Sequence, residues 1–149
     1  MTQHEIWMNY ALKEAEKAYE KKEVPIGAVI VFDNRIIAKG HNQVETLNDP
    51  TAHAEIIAIT AASEYLTSKA LLGCQMYVTL EPCSMCAGAI VLAKMEGLFF
   101  GSFDNKSGAC GSVLNITNNS SLNHRLSVTG GILDDKCSEL IKSFFEVRR

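Results

Sequence analysis

The sequence between residues 76 and 94 reads MYVTLEPCSMCAGAIVLAK, a strand-like run followed by a helix-like run. The apolar residues 76–80 predict a strand, and residues 84–94 predict a helix that begins just after a proline. Cys83 and Cys86 therefore lie at the opening turn of that helix. Free N–H groups and the helix dipole favour thiolates there, which suits a pair of metal ligands.

Further elements are predicted on both sides of this junction. They are an amphipathic helix over about 2–22, a hairpin of strands at 28–32 and 35–38, a polar loop over 40–50, a helix over about 52–65 that Thr51 can cap, a strand at 97–100, a mostly loop-like stretch over 101–123, a strand at 126–129 and a helix over about 134–147. This order, α-β-β-α-β-α-β-β-α, predicts an α/β fold with a mostly parallel sheet covered on both faces. The opening hairpin supplies one antiparallel pair.

The composition is typical of a soluble globular domain. The chain has 149 residues, of which 47% are hydrophobic and 21% charged, so we expect one domain over 1–149. The first residues lack the basic start and apolar run of a secretory signal, and we expect a cytoplasmic protein. Its five cysteines are then reduced thiols. The net charge of −3 is not that of a typical nucleic-acid binder, although it does not exclude one.

A second motif, His53-Ala54-Glu55, gives the cysteine pair a chemical meaning. Alone, Cys-x-x-Cys is typical either of a redox pair or of half a zinc site, and His-x-Glu arises often by chance. Together they provide one histidine and two cysteines, and catalytic zinc characteristically keeps three protein ligands and one position for water. Glu55 is too close to His53 to bind the same ion, so we expect it to move protons instead.

The combined pattern, His-x-Glu with Pro-Cys-x-x-Cys, is typical of zinc-dependent nucleobase deaminases. Within this cytidine/deoxycytidylate deaminase superfamily, the chain resembles the bacterial tRNA-specific adenosine deaminases over essentially its whole length. The resemblance is carried by VPIGAV at 24–29, DPTAHAE at 49–55, LEPCSMCAGA at 80–89, GSFDNKSGA at 101–109, NHR at 123–125 and the ending FFEVRR at 144–149. Cys110 stands where family members often have alanine.

The resemblance implies a three-layer α/β/α cytidine-deaminase-like fold, with a five-stranded mixed sheet and helices on both faces. It implies hydrolytic deamination of the wobble adenosine to inosine in a tRNA anticodon loop, by a homodimer that binds the RNA near its subunit interface. His53, Cys83 and Cys86 would hold one Zn²⁺ per subunit, and Glu55 would be the proton shuttle. The implied substrate contacts are Asn42, the backbone of Ala54, Asp104, Lys106, His124, Arg125 and Phe145.

Two other functions remain open at this point. A deaminase of free guanine, cytosine or cytidine would use the same zinc and glutamate, and the acidic net charge favours it. The segments around Asp104 and Lys106 and around Asn123 favour tRNA. A non-catalytic RNA-binding protein with a structural zinc would need a fourth protein ligand, and the sequence offers no obvious one. His4 and His41 are interpreted as surface or structural residues, and the three other cysteines as small buried or partly buried ones: Cys74, Cys110 and Cys137.

Overall fold

The computed structural model describes residues 1–148, and Arg149, the last residue of the resembling C-terminal segment, lies outside the described residues. The strands are β1 (Gly27–Phe32), β2 (Arg35–His41), β3 (Gln75–Leu80), β4 (Gly97–Ser102) and β5 (Ser127–Thr129). The helices are α1 (Gln3–Glu20), α2 (Val44–Leu47), α3 (Ala54–Leu66), α4 (Ser84–Leu92) and α5 (Asp134–Val147). With the exception of α2, the types and order of these elements are those that the sequence predicts.

The five strands form one mixed sheet in the order β2-β1-β3-β4-β5. β3 pairs with β4, and β4 with β5, in parallel, whereas β1 pairs antiparallel with both β2 and β3. The prediction of a mostly parallel sheet with one antiparallel pair is therefore wrong. The second antiparallel pair, β1 with β3, arises from the crossover through α3, which carries the chain from β2 past β1 to β3. β3 consequently runs parallel to β2 and antiparallel to the strand between them.

Alternating side chains of the strands divide the core into two layers. Ala28 and Ile30 of β1 face α3 and α4, whereas Val29 and Val31 face α1 and α5. The three-layer α/β/α fold is thus confirmed, and the two helices that carry the metal motifs share one face. In the described part of the chain, no helix combines the length and the apolar character needed to cross a membrane.

The segment between β2 and α3 differs from its prediction as a simple polar loop ending in a threonine cap. It contains the short helix α2, and α3 begins after His53 rather than after Thr51. The hydroxyl of Thr51 donates to Asp49 Oδ1 at 2.8 Å, so it is engaged in a local turn instead of capping the helix.

Glu23 fixes α2 to the rest of the molecule. Its side chain is only 1% exposed and accepts hydrogen bonds from the backbone N–H groups of Glu45 (3.1 Å) and Thr46 (2.6 Å) and from the Thr46 hydroxyl (2.7 Å). Burial raises the pKa of Glu23, but the hydrogen bonds from Thr46 and Glu45 outweigh burial and hold the pKa below its ordinary value of 4.5. The carboxylate therefore stabilises the chain turn that leads into α3.

Gly27 allows α1 to lie directly on the sheet. A Cβ at this position would stand 2.1 Å from the carbonyl oxygen of Ala11 and 2.4 Å from the backbone nitrogen of Ala15. Both are backbone atoms of α1, so rotation of a side chain could not relieve the clash. By contrast, a Cβ at Gly88 in α4 would meet no atom within 4 Å.

Gly27→Ala is expected to lower the free energy of unfolding by about 2–3 kcal/mol, because α1 must move off the sheet to accommodate one methyl group. Gly88→Ala is the matched control, and we expect it to raise the free energy of unfolding by about 0.5–1 kcal/mol through its better helix propensity. Urea unfolding of both variants measures the difference. A Gly27→Ala variant as stable as the wild type would contradict this packing.

Glu23→Gln is expected to lower the free energy of unfolding by about 1–3 kcal/mol at neutral pH, because an amide cannot accept all three hydrogen bonds. The pKa of Glu23 is lowered by folding, so its contribution is complete above pH 4.5 and is lost as the pH falls through the lowered pKa. Urea unfolding at decreasing pH should therefore show that the difference in free energy of unfolding between Glu23→Gln and the wild type becomes smaller in acid. Glu20→Gln, at an exposed position of α1, controls for the loss of one charge. A gap that persists undiminished in acid would refute this role of the Glu23 carboxylate.

Candidate metal centre and substrate cavities

The starts of α3 and α4 bring three ligand atoms together. His53 precedes the first residue of α3, Cys83 precedes that of α4, and Cys86 lies in the opening turn of α4. His53 Nδ1 stands 3.6 Å from Cys83 Sγ and 3.5 Å from Cys86 Sγ, and the three atoms all lie within 4.8 Å of one another. The structure thus unites the predicted ligands from two helices that are 30 residues apart in the chain.

These separations fit a tetrahedral zinc ion. A thiolate sulfur at about 2.3 Å from zinc and an imidazole nitrogen at about 2.0–2.1 Å would be about 3.6 Å apart. The observed distances of 3.6 and 3.5 Å match that value. Because residues 1–148 contribute three donors to this cluster, a tetrahedral ion held here would keep one position for a further ligand.

The pKa values of the two thiols are shifted in opposite directions. A hydrogen bond from Cys86 is the main cause that lowers the pKa of Cys83, assisted by backbone N–H groups of α4 and by His53. The same hydrogen bond and burial raise the pKa of Cys86. The pair therefore holds one proton between two sulfurs, and a metal ion that binds both sulfurs displaces that proton.

Glu55 lies beside the cluster in the first turn of α3. It is 4% exposed, and burial raises the pKa of its carboxyl to about 7, with the negative charge of Cys83 acting in the same direction. A carboxyl group that titrates near neutral pH can both take and give a proton, whereas an ordinary exposed glutamate stays ionised. Its position and its protonation behaviour suit a proton shuttle at the metal centre.

A cavity of about 520 Å³ opens next to His53 and includes Asn42. Asn42 is 6% exposed, and its Oδ1 atom has no hydrogen-bond partner among residues 1–148. A buried amide oxygen without a partner is costly unless a ligand or water supplies a donor. Ala54 begins α3 nearby, and the first N–H groups of a helix have no acceptor within the helix. The cavity therefore offers a buried acceptor, Asn42 Oδ1, on the side of His53.

A second cavity, of about 580 Å³, lies between the loop after β4 and the helix α5. It is lined by Asp104, Lys106 and Phe145. Asp104 Oδ1 accepts the backbone N–H groups of Lys106 (3.0 Å) and Ser107 (3.1 Å), which closes a tight turn and presents Lys106 at the surface. Three of the predicted substrate contacts thus share one site.

His124 and Arg125 line neither of these two cavities of the described chain. His124 Nε2 is 2.7 Å from the carbonyl oxygen of Met95, and Arg125 Nε donates to Asn118 Oδ1 at 2.9 Å. Both residues precede β5, whereas Cys83 follows β3. Because these strands run in the same direction, the two residues lie at the edge of the sheet opposite the cluster.

The other histidines and cysteines have structural environments. His4 Nδ1 is 2.6 Å from the Tyr77 hydroxyl, and His41 Nδ1 is 3.6 Å from a Glu14 carboxylate oxygen. The three remaining cysteines are buried, as predicted: Cys74, Cys110 and Cys137.

Sequence reasoning missed two buried carboxylates that frame the site. Glu23 holds α2 beside the first cavity, and Glu81 holds the loop that lines the second. The only signal available was the position of Glu81 between an apolar strand and Pro82, where a charged side chain is unusual.

Comparison with known proteins agrees with this geometry. A family model described as MafB19-like deaminase matches residues 2–149. The tRNA-specific adenosine deaminase of Bacillus subtilis (strain 168) is 46% identical over 149 residues, which cover 100% of this chain and 92% of that protein.

Two solved structures share the fold at appreciable identity. One comes from work on A-to-I editing by tRNA:A34 deaminases at the wobble position of transfer RNA. It has a TM-score of 0.87 and 44% identity, and the match covers 91% of this chain and 98% of that one. The other is a guanine deaminase from Bacillus subtilis, with a TM-score of 0.67, 39% identity and coverage of 74% of this chain and 71% of that one. The full-length identity and the higher structural similarity agree, and this chain belongs to the family of the tRNA-specific adenosine deaminases.

Proposed function

We propose that this protein hydrolytically deaminates the wobble adenosine of a tRNA anticodon loop to inosine. The observation that carries this proposal is the buried Glu55 carboxyl beside the His53, Cys83 and Cys86 cluster, in a chain of this family. In the reaction, C6 of the adenine ring gains the oxygen of a water molecule. The bond between C6 and the exocyclic amino nitrogen breaks, and the amino group leaves as ammonia.

We assign one Zn²⁺ per subunit to the cluster, with His53, Cys83 and Cys86 as its ligands. The observed ligand separations support this assignment, since they match those of tetrahedral zinc. When bound there, zinc would lower the pKa of a water molecule and so make it a nucleophile at neutral pH. The burial of Cys86 and the helix start at Cys83 keep the two sulfurs in place for the metal.

Glu55 moves the protons of the reaction. It accepts a proton from the attacking water and donates it to the ring nitrogen next to C6. Glu55 then takes the remaining proton from the hydroxyl group added at C6 and passes it to the departing amino group, so one carboxyl acts in turn as base and acid. Its raised pKa supports this role, because both protonation states are populated near neutral pH.

The two cavities divide the recognition of the substrate. We propose that Asn42 and the backbone N–H of Ala54 contact the extruded adenosine or its ribose in the first cavity. Asp104, Lys106 and Phe145 would contact the neighbouring nucleotides in the second. Stacking on an aromatic ring and pairing of a lysine with phosphate are the usual means of binding a single-stranded loop.

Three further properties complete the proposal. We propose that 1–149 act as one deaminase domain, that the enzyme is a homodimer, and that it acts in the cytoplasm on tRNA. His124 and Arg125 are proposed as outer contacts to the RNA, away from the reacting base. An exposed Arg125 supports this role, because phosphate contacts require only an accessible cation.

Deamination of free guanine is the second candidate function. The likeness to the solved guanine deaminase favours it, and the same cluster and Glu55 would serve. The second cavity argues for tRNA, because a free base fills a single pocket and needs no contacts to neighbouring nucleotides.

Incubation of the zinc-loaded protein with an anticodon stem-loop that carries adenosine at the wobble position is expected to yield inosine. Mass spectrometry of the digested RNA measures the conversion. A stem-loop with the adenosine moved to another loop position is the control, and free adenosine, guanine, cytosine and cytidine are tested in parallel. Ammonia from a free base, with the stem-loop unchanged, would overturn the tRNA substrate and retain the zinc chemistry.

Glu55→Ala and Cys83→Ala are expected to separate catalysis from metal binding. Glu55→Ala should retain one zinc per subunit and lose activity by about 10²–10⁴-fold, because only the proton shuttle is removed. Cys83→Ala should lose both zinc and activity, since two ligands hold the ion poorly. Elemental analysis and the stem-loop assay measure the two properties. Cys74→Ala, at a buried thiol outside the cluster, should retain both. Full activity of Glu55→Ala, or tightly bound stoichiometric zinc in Cys83→Ala, would refute the assigned roles.

A further inference from the structure

Glu81 is the first residue after β3 and stands two residues before Cys83. Its side chain makes an unusual set of contacts. One carboxylate oxygen accepts the backbone N–H of Asp104 at 3.1 Å and also bonds the Ser112 hydroxyl. The other oxygen accepts the backbone N–H groups of Cys110 (3.0 Å) and Ser112 (3.1 Å). All four donors belong to the segment 104–112, which we call the cavity loop. A single side chain therefore binds both ends of this loop.

The charge of Glu81 depends on the cavity loop for compensation. The side chain is 2% exposed, and across residues 1–148 no lysine, arginine or histidine nitrogen forms an ion pair with it. A buried carboxylate without a cation must be stabilised by hydrogen-bond donors, and here these donors come from the loop alone. Displacement of the loop would leave a buried charge uncompensated, so the carboxylate favours the observed position of the loop.

The cavity loop packs closely against Glu81. A Cβ at Gly108 would stand 2.4 Å from the Glu81 carboxyl carbon, so the loop backbone lies directly against the carboxylate. The backbone N–H of Ala109 donates to the carbonyl of Pro82 at 2.9 Å, one residue before Cys83. The loop is thereby attached to the segment that carries the metal ligands.

The contacts continue from Glu81 to the surface of the second cavity. Glu81 fixes the backbone of Asp104, and the Asp104 carboxylate in turn fixes the N–H of Lys106. Two carboxylates in series thus relate the position of Lys106 to that of Cys83. Substrate contacts that must act together with the metal centre require such a fixed geometry.

From these contacts we infer that Glu81 is a positioning residue for RNA binding, which holds Asp104 and Lys106 where they contact the nucleotides beside the target adenosine. This inference rests on the proposed function. Glu81 touches no substrate in this role and acts through the cavity loop. Its loss should therefore impair binding of the stem-loop rather than the chemical step.

The test compares KM and kcat of Glu81→Gln with those of the wild-type holoenzyme on the anticodon stem-loop. The amide cannot accept from donors on both sides, so we expect KM to rise about tenfold with kcat within about threefold of the wild type. Zinc content should stay at one ion per subunit. Ser112→Ala removes one of the four hydrogen bonds and should raise KM about threefold, which keeps the test valid if Glu81→Gln folds poorly. Tyr77→Phe removes a partly buried hydrogen bond to His4 on the other face of the sheet and should leave KM unchanged.

A double-mutant cycle with Lys106→Ala separates positioning from a general loss of stability. If Glu81 acts through Lys106, then Glu81→Gln should raise KM by no more than about twofold in the Lys106→Ala background. Fully additive effects, or an unchanged KM in both Glu81→Gln and Ser112→Ala, would overturn the inference while the wild type still converts the stem-loop. A wild type that leaves the stem-loop unconverted would instead overturn the proposed function on which the inference rests.

Discussion

The start of α3 beside the start of α4 is the constraint on which the rest of the site depends. Each helix start provides free N–H groups and the positive end of a dipole, and these favour the anionic forms of nearby side chains. The ligands His53, Cys83 and Cys86 all lie within this small region. The sheet determines the meeting of the two helices, because α3 and α4 pack on the same face of it.

Burial in the same region changes the pKa of Glu55. Its carboxyl is almost fully buried one residue inside α3, and burial outweighs the favourable backbone contacts that would otherwise lower its pKa. A less buried glutamate at this position would have a lower pKa and would be a weaker base towards water. In the proposed function, the burial that the α3–α4 packing imposes therefore serves the chemistry as well as the fold.

Much of the architecture could be predicted from the sequence because it depends on local patterns. The helix over 134–147 and the strands of the hairpin follow from periodicity and turn residues, and the metal motifs carry their own spacing. The antiparallel pairing of β1 with β3 could not be predicted, since it depends on which strand α3 crosses. The helix α2 was missed because Glu23, more than 20 residues earlier in the chain, fixes it. The role of Glu81 could not be predicted for the same reason, because its hydrogen-bond partners lie in the cavity loop, outside the motif at 80–89.

Glu23 and Glu81 each hold a segment of the chain that lines a cavity. Neither carboxylate takes part in binding the metal, yet each fixes a segment that lines a cavity on a different side of the centre. In the proposed function, the chemistry resides in the helix starts, and the segments that these carboxylates hold contact the substrate. The net charge of −3 provides no overall attraction for phosphate, so the proposed function requires local contacts from individual cations. In that function Lys106 would be one such cation, and the Asp104 carboxylate holds its backbone N–H.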